Sequence, residues 1–283
     1  MREHREKIEM SKFEILCVTM HQNDFSKIKE MNIRSDVVFA NQADRTELQE
    51  IEFDGHKAKM ISTDTRGVGT NRNFALMYAN ADICLMADDD VVYADDMESR
   101  VVAEFERHPN ADIIIFHFET DDPVRKQVKY SKTKKCGPLT RMPWGGVRIA
   151  FRLDSVRKAN VWFTTLFGGG CIFPSGEDSM WLREAKRKGL TFYVSKETIG
   201  KVSFAHSTWF TGYDEKFYYG KGAYYQAMYP RWIYVWMMYF LWRTRKHREL
   251  SCGEKMKWMR WGWKGYKQMQ TYNEWKGQQE KKE

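Results

Sequence analysis

The sequence predicts an α/β fold: a mostly parallel central sheet flanked by helices, with a helical C-terminal extension. Three observations carry this expectation. Continuous apolar runs of strand length alternate with helical patterns over residues 13–118. Polar and acidic clusters follow those runs directly, at the carboxyl ends where an open parallel sheet presents its ligands. Beyond residue 228 the composition turns aromatic and basic, which divides the chain into a body, 1–228, and a tail, 229–283.

In chain order, Phe13–Thr19 and Asp36–Ala40 are apolar runs suited to buried strands, and Lys59–Ser62 is a third. Asn71–Asn80 has helical spacing, with Phe74, Leu76, Met77 and Tyr78 among its apolar positions. Asp82–Ala87 is another strand run, ending abruptly in three aspartates. Met97–Phe105 reads as a helix stopped at His108-Pro109, and Ala111–Phe118 is the most strand-like stretch in the chain. Residues 121–146, with Pro123, Pro138, Pro143 and many charges, read as loop, after which Val147–Leu153 returns to the sheet. Gly168–Pro174 is a glycine-rich loop, and a helix from about Glu177 to Lys188 is ended by Gly189.

Composition excludes several classes. Aromatic residues make up 15% of 283 and charged residues 30%, enough apolar surface to build a core rather than a disordered chain. Met1–Met10 is charged without an apolar run, so no secretory leader is expected. Five cysteines without a close-spaced pair suit reduced thiols in a cytosolic compartment, not a disulfide framework or a zinc site. The net charge of +8 is concentrated in the tail: Arg243–Glu283 holds twelve Lys/Arg against five Glu. A near-neutral body argues against nucleic acid as the partner.

Four clusters bear chemistry. Asp88-Asp89-Asp90 sits directly after a buried strand. Three carboxylates there repel one another, and a hard divalent cation, Mg²⁺ or Mn²⁺, relieves the repulsion while bridging to substrate phosphates. An acidic turn or helix cap accounts for three aspartates alone equally well. Arg66-Gly67-Val68-Gly69 through Arg72-Asn73 enters a helix, and backbone amides with two arginines make an anion site. A plain turn is the commoner use of such glycines. Gly176-Glu177-Asp178 opens the next helix. Its acids serve either as caps at the positive end of the helix or, for Asp178, as a general base toward an acceptor hydroxyl. His206 follows a strand-like stretch and offers an imidazole to a metal or a phosphate, although a lone histidine is more often structural.

In this order the pieces resemble glycosyltransferase family 2, the nucleotide-sugar transferases of GT-A fold. The resemblance spans about residues 12–210. It is carried by Val18-Thr19-Met20, Asn41-Gln42, Arg66-Gly67 through Arg72-Asn73, Asp88-Asp89-Asp90, Gly176-Glu177-Asp178 and His206. It implies a GT-A-like body acting on a nucleotide-diphosphate sugar, UDP-type favoured. Thr19, Asn41, Gln42 and Arg72 would then line the base and ribose pocket, with Arg66 also on the donor side. Asp88 would stand near the ribose, with Asp89 also on the donor side, and Asp90, with His206, on the Mn²⁺ or Mg²⁺ that meets the diphosphate. Asp178 would be the base of an inverting single displacement onto a glycan or lipid-linked oligosaccharide, as in bacterial surface polysaccharide synthesis. Ala87 before three aspartates departs from the commonest family pattern, which leaves open which carboxylate meets the metal.

The tail contributes Trp232–Trp242, an unbroken apolar run between Arg231 and the basic segment Arg243–Arg248. Eleven residues make a helix of ~16 Å, too short to span a bilayer. Tryptophan, tyrosine and cations suit the interface of an anionic membrane, which expects a peripheral protein at its cytoplasmic face. The alternative is a helix packed on the body with a solvated basic edge. Two rival functions follow: a nucleotidyltransferase acting on sugar phosphates, and a non-catalytic membrane-surface adaptor. The first would carry a glycine-rich basic loop after the first strand, where this chain has Thr19–Asn23; the second leaves the acidic motifs unexplained.

Overall fold

Strand β1 (Phe13–Met20) is buried along all but its last residue, as befits a central strand covered on both faces. In the computed structural model, which describes residues 11–120, 128–137, 140, 145–202 and 212–280, it pairs in parallel with its neighbours on either side. A short helix, α1 (Lys27–Glu30), leads to β2 (Asp36–Gln42). An edge hairpin follows, β3 (Glu47–Phe53) and β4 (His56–Thr63). Its turn is Asp54-Gly55, with φ of +47° and +82°, the left-handed pair a tight two-residue hairpin requires. Then come α2 (Val68–Tyr78), β5 (Ile83–Asp88), the short β6 (Val91–Tyr93), α3 (Met97–Arg107), β7 (Ile113–Thr120) and β8 (Lys134–Lys135). The remaining elements are β9 (Ile149–Arg152), α4 (Leu153–Lys158), α5 (Glu177–Arg187), β10 (Phe192–Val202) and α6 (Glu215–Met228). Three helices close the chain: α7 (Ile233–Arg243), α8 (Cys252–Gln268) and α9 (Tyr272–Glu280).

The strands order as β3-β4-β2-β1-β5-β9-β7-β10-β6, with β8 beside β10. The run β4-β2-β1-β5 is parallel throughout, as the alternation over 13–118 implies. The segment returning at Val147–Leu153 enters antiparallel, as β9 between β5 and β7, so the sheet is mixed. Its core gathers Phe13, Ile15, Phe39, Leu85, Ile114 and Phe116 with Val101 and Phe105 of α3. Glu104 is buried with them because Ser195 and Thr133 donate hydroxyls to it and Arg107 pairs with it. A buried carboxylate needs that company.

The chain forms two compact units. The sheet belongs to the first, Met1–Thr65, Asn71–Trp162 and Leu182–Ala205; the second comprises Arg66–Thr70, Phe163–Trp181 and His206–Glu283. In the second unit Asp214 caps α6 by accepting from the Phe217 N–H, and a reciprocal Ser251/Glu254 pair caps α8. These two helices cross at glycines. A Cβ at Gly222 would stand 1.9 Å from the Met259 carbonyl oxygen, and one at Gly262 1.8 Å from that of Tyr219. The aromatic tail beyond 228 is therefore helical as expected, and α8 is packed in a core with α6, Phe167 and Phe173. Lys255 ends α7 by donating to the carbonyls of Thr244 and His247. Among the described residues no helix is long and apolar enough to cross a membrane.

Candidate active site

Parallel pairing sets the carboxyl ends of β1, β2 and β5 side by side, with Val18 opposite Asp88 and Thr19 opposite Asn41. Those ends carry the residues singled out in the sequence. Asp88 is the last residue of β5 and accepts from Arg72 Nη2 at 3.0 Å. Arg72 projects from α2 and is 2% exposed, so the guanidinium is held in place and fixes the carboxylate it meets. Thr19, at the end of β1, donates its hydroxyl to Asp89 Oδ2, and Lys27 of α1 reaches the Asp89 carbonyl oxygen at 3.5 Å. Nothing in the sequence pattern pointed to Lys27.

Asp90 is different. It lies in the turn between β5 and β6, and no side chain among the described residues bonds to it or pairs with it. Protein crowding around its carboxyl, then the charges of Asp88 and Asp89, push its pKa up to about 6, although the residue keeps an exposed face and Lys27 opposes the rise. A cation there would relieve the repulsion. No three His, Cys, Asp or Glu side chains converge on one point among the described residues. The donor set is thus one free carboxylate with two neighbours already engaged. Mg²⁺ tolerates so few protein ligands when substrate phosphates and water complete its shell, and in that sense the residues fit a hard divalent ion.

Asn41 is fully buried, and its amide is spent inside the protein. It donates to the Gln22 carbonyl and to Ser62 Oγ at 2.9 Å each and accepts from the Gln22 N–H at 3.0 Å. Its evident work is to pin the turn after β1 to β2 and β4. Gln42, also buried, accepts the His21 N–H through its carbonyl.

The second unit holds the other motifs. Arg66 is exposed at the head of the glycine loop. The glycines that suggested a phosphate cradle have a packing role: a Cβ at Gly69 would fall 2.0 Å from the Thr164 carbonyl oxygen, and one at Gly67 2.8 Å from Cys171 Sγ. Val68 N–H donates to the Gly169 carbonyl, so this loop and the 168–170 loop are stitched together. Gly168, at φ +115°, leaves no room for a side chain between Val68 and Glu177. Glu177 opens α5 and accepts from the Gly176 N–H at 3.0 Å; Asp178 is half-buried beside it in the first turn, where the helix dipole favours a carboxylate. His206 lies outside the described residues.

Residues 34–169 match the family model described as "Glycosyl transferase family 2". That segment, just under half of the chain, carries the likeness to the family. The matched segment holds Asn41, Gln42, Arg66, Arg72 and Asp88–Asp90, while Thr19 and Asp178 flank it. The fold of this glycosyltransferase is that of the GT-A enzymes. S. aureus TarS 1-349 aligns over 88% of this chain and 69% of its own, at 14% identity and TM-score 0.53. The same protein in complex with UDP-GlcNAc aligns over 88% and 70%, at 15% identity and TM-score 0.54. In complex with UDP the values are 88%, 69%, 14% and 0.54. At such identities the likeness is one of fold. No curated protein matches the chain in sequence.

Proposed function

We propose that this glycosyltransferase moves a hexose-type sugar from a UDP-type nucleotide sugar to a hydroxyl of a glycan or lipid-linked acceptor, with inversion at the anomeric carbon. The observation that carries the reading is the row of Thr19, Asp88, Asp89 and Asp90 along adjacent strand ends in a chain with this likeness to the family. The complexes of TarS with UDP-GlcNAc and UDP support a uridine donor. Arg72 and Thr19 hold Asp88 and Asp89 in fixed geometry, Asp88 for the donor's ribose and Asp89 beside it. Asp90 would hold Mn²⁺ or Mg²⁺ together with the donor diphosphate. That ion, when bound, offsets the charge that develops on the leaving phosphate.

The chain's own chemistry lies with Asp178. Its carboxylate accepts the proton of the acceptor hydroxyl as that oxygen bonds to the anomeric carbon. The bond from that carbon to the phosphate oxygen breaks, and the nucleoside diphosphate leaves with the electron pair. One displacement inverts the centre. An acceptor carried on a lipid places the enzyme at a membrane, and the basic, aromatic C-terminal helices suit a peripheral position at its cytoplasmic face.

The experiment is incubation of the full chain with a panel of nucleotide sugars, with Mn²⁺, Mg²⁺ or EDTA, reading nucleoside diphosphate release and the product anomer by NMR. Metal-dependent release of UDP with an inverted product supports the reading. Release of pyrophosphate from a nucleoside triphosphate and a sugar phosphate would replace it with nucleotidyl transfer.

A further inference from the structure

Helix α7 buries only one side. Ile233, Met237 and Leu241 are buried at i, i+4 and i+8, while Tyr234, Val235, Met238, Tyr239 and Trp242 are exposed on the opposite arc, with Trp232 just before the helix. Trp242 is 60% and Val235 59% exposed. Large apolar side chains gathered on one arc are a surface that water does not favour. Beside this stripe α8 sets out Lys257, Arg260, Lys264 and Lys267, all exposed at helical spacing. An open groove of about 540 Å³ is lined by Lys257, Arg260 and Lys264 with Tyr234, Trp261 and Trp263. Lys257 lies 4.4 Å over the Trp261 ring, and Tyr234 meets Trp263 edge-on at 5.6 Å. None of the three cations of the groove forms an ion pair among the described residues.

We propose that this α7–α8 face is a membrane seat. The aromatic stripe of α7 enters the interface of an anionic phospholipid bilayer, and Lys257, Arg260 and Lys264 take lipid phosphates in the adjoining groove. The proposal rests on the membrane-proximal acceptor suggested above and narrows it, because the basic surplus of the tail alone would bind from any side. Charge complementarity selects the occupant. Three unpaired cations call for anions, aromatic rings interleaved with them suit the headgroup level, and the apolar arc beside them needs an apolar phase. The opposite flank of α8, with Trp258, Met259 and Gly262, is buried and unavailable.

The test uses the full chain and three forms: wild type, K257Q/R260Q/K264Q, and V235S/M238S/W242S. All six positions are exposed, so both variants should fold. Each is co-sedimented with vesicles of phosphatidylglycerol and phosphatidylcholine, then of phosphatidylcholine alone. Wild type should prefer the anionic vesicles. The charge variant should lose about 10²-fold in partitioning, from roughly 1 kcal/mol for each of three residues. The apolar variant should keep low-salt binding and lose the fraction that survives high salt. UDP release with a soluble acceptor should be unchanged in both. Loss of that release in all three forms would count against the transferase reading instead, leaving the vesicle result to stand alone. Equal sedimentation of the three forms overturns the seat. So does capture of a single-stranded oligonucleotide without vesicle binding, or self-association that the V235S/M238S/W242S change abolishes.

Discussion

Gly262→Ala is the perturbation that tests the packing of the second unit most sharply, because its sign runs against helix propensity. Alanine in a helix interior is favoured over glycine by about 1 kcal/mol. At Gly262, however, the added carbon would stand 1.8 Å from the Tyr219 carbonyl oxygen, 2.6 Å from its carbon and 3.0 Å from its Cα. The obstacle is backbone, which cannot rotate away, so α6 and α8 must part by more than about 1 Å to reach ordinary contact. Parting loosens Tyr219, Ala223 and Met259, all fully buried. Overpacking of this kind costs about 1–3 kcal/mol, and a backbone clash belongs at or beyond the upper end. The net expectation is a loss of about 2 kcal/mol, or roughly 4–8 °C in Tm for a domain of this size. Gly277 in α9 is the control, with nothing within 4 Å of its added Cβ. Gly277→Ala should stabilise by about 0.5–1 kcal/mol. Urea unfolding followed by circular dichroism, with hydrogen exchange of α6 and α8 amides, measures both. If Gly262→Ala stabilises as Gly277→Ala does, the helices do not cross at their backbones and the reasoning fails.

Asp178→Asn should leave UDP-sugar affinity near wild type and lower kcat about 10²–10⁴-fold, since an amide keeps the shape but accepts no proton; collapse of affinity with kcat intact in steady-state assays would make Asp178 a donor ligand. Thr19→Val keeps the volume of the side chain and removes the hydroxyl that Asp89 accepts. It should cost about 1 kcal/mol in urea unfolding, below the roughly 1.5–3 kcal/mol of a bond to a charged group because Asp89 is only partly buried, and an unchanged midpoint would show that water replaces the hydroxyl freely. Gly69→Ala should be among the more damaging single changes near the glycine loop, because its Cβ would meet the Thr164 carbonyl oxygen at 2.0 Å; a wild-type Tm would refute the stitched-loop description.

The sequence made the parallel half of the sheet legible for a simple reason. β1, β2, β5 and β7 are buried on both faces, so their residues read as unbroken apolar runs that no solvent-facing helix would show. β3 was missed because Glu47–Phe53 is an edge strand with largely exposed, charged residues, yet Asp54-Gly55 marked its hairpin and could have found it. The antiparallel entry of β9 could not be read from Val147–Leu153, since direction is a property of the pairing and not of the run. At the site, strand ends were legible and partners were not. The triple aspartate announced charge, but it is the folded chain that brings Arg72 and Thr19 to two of the carboxylates and leaves Asp90 without a side-chain partner among the described residues. The glycines of 67–69 looked like a ligand cradle because both uses need a bare backbone, and the neighbour at 164–171 is remote in sequence. In the tail, the apolar run at 232–242 was visible, whereas its division into a buried and an exposed arc needed α6 and α8 as partners.

In the proposed reaction Asp90, set apart among the strand-end carboxylates, would join a divalent ion to a nucleotide diphosphate. Calorimetric titration of UDP into the wild-type chain and into Asp90→Ala, each with Mn²⁺ and with EDTA, tests it directly. Wild type should bind tightly with Mn²⁺ and at least tenfold more weakly in EDTA, and the variant should bind weakly and equally in both. Equal affinity for UDP in all four titrations, or no binding of UDP in any, would contradict it.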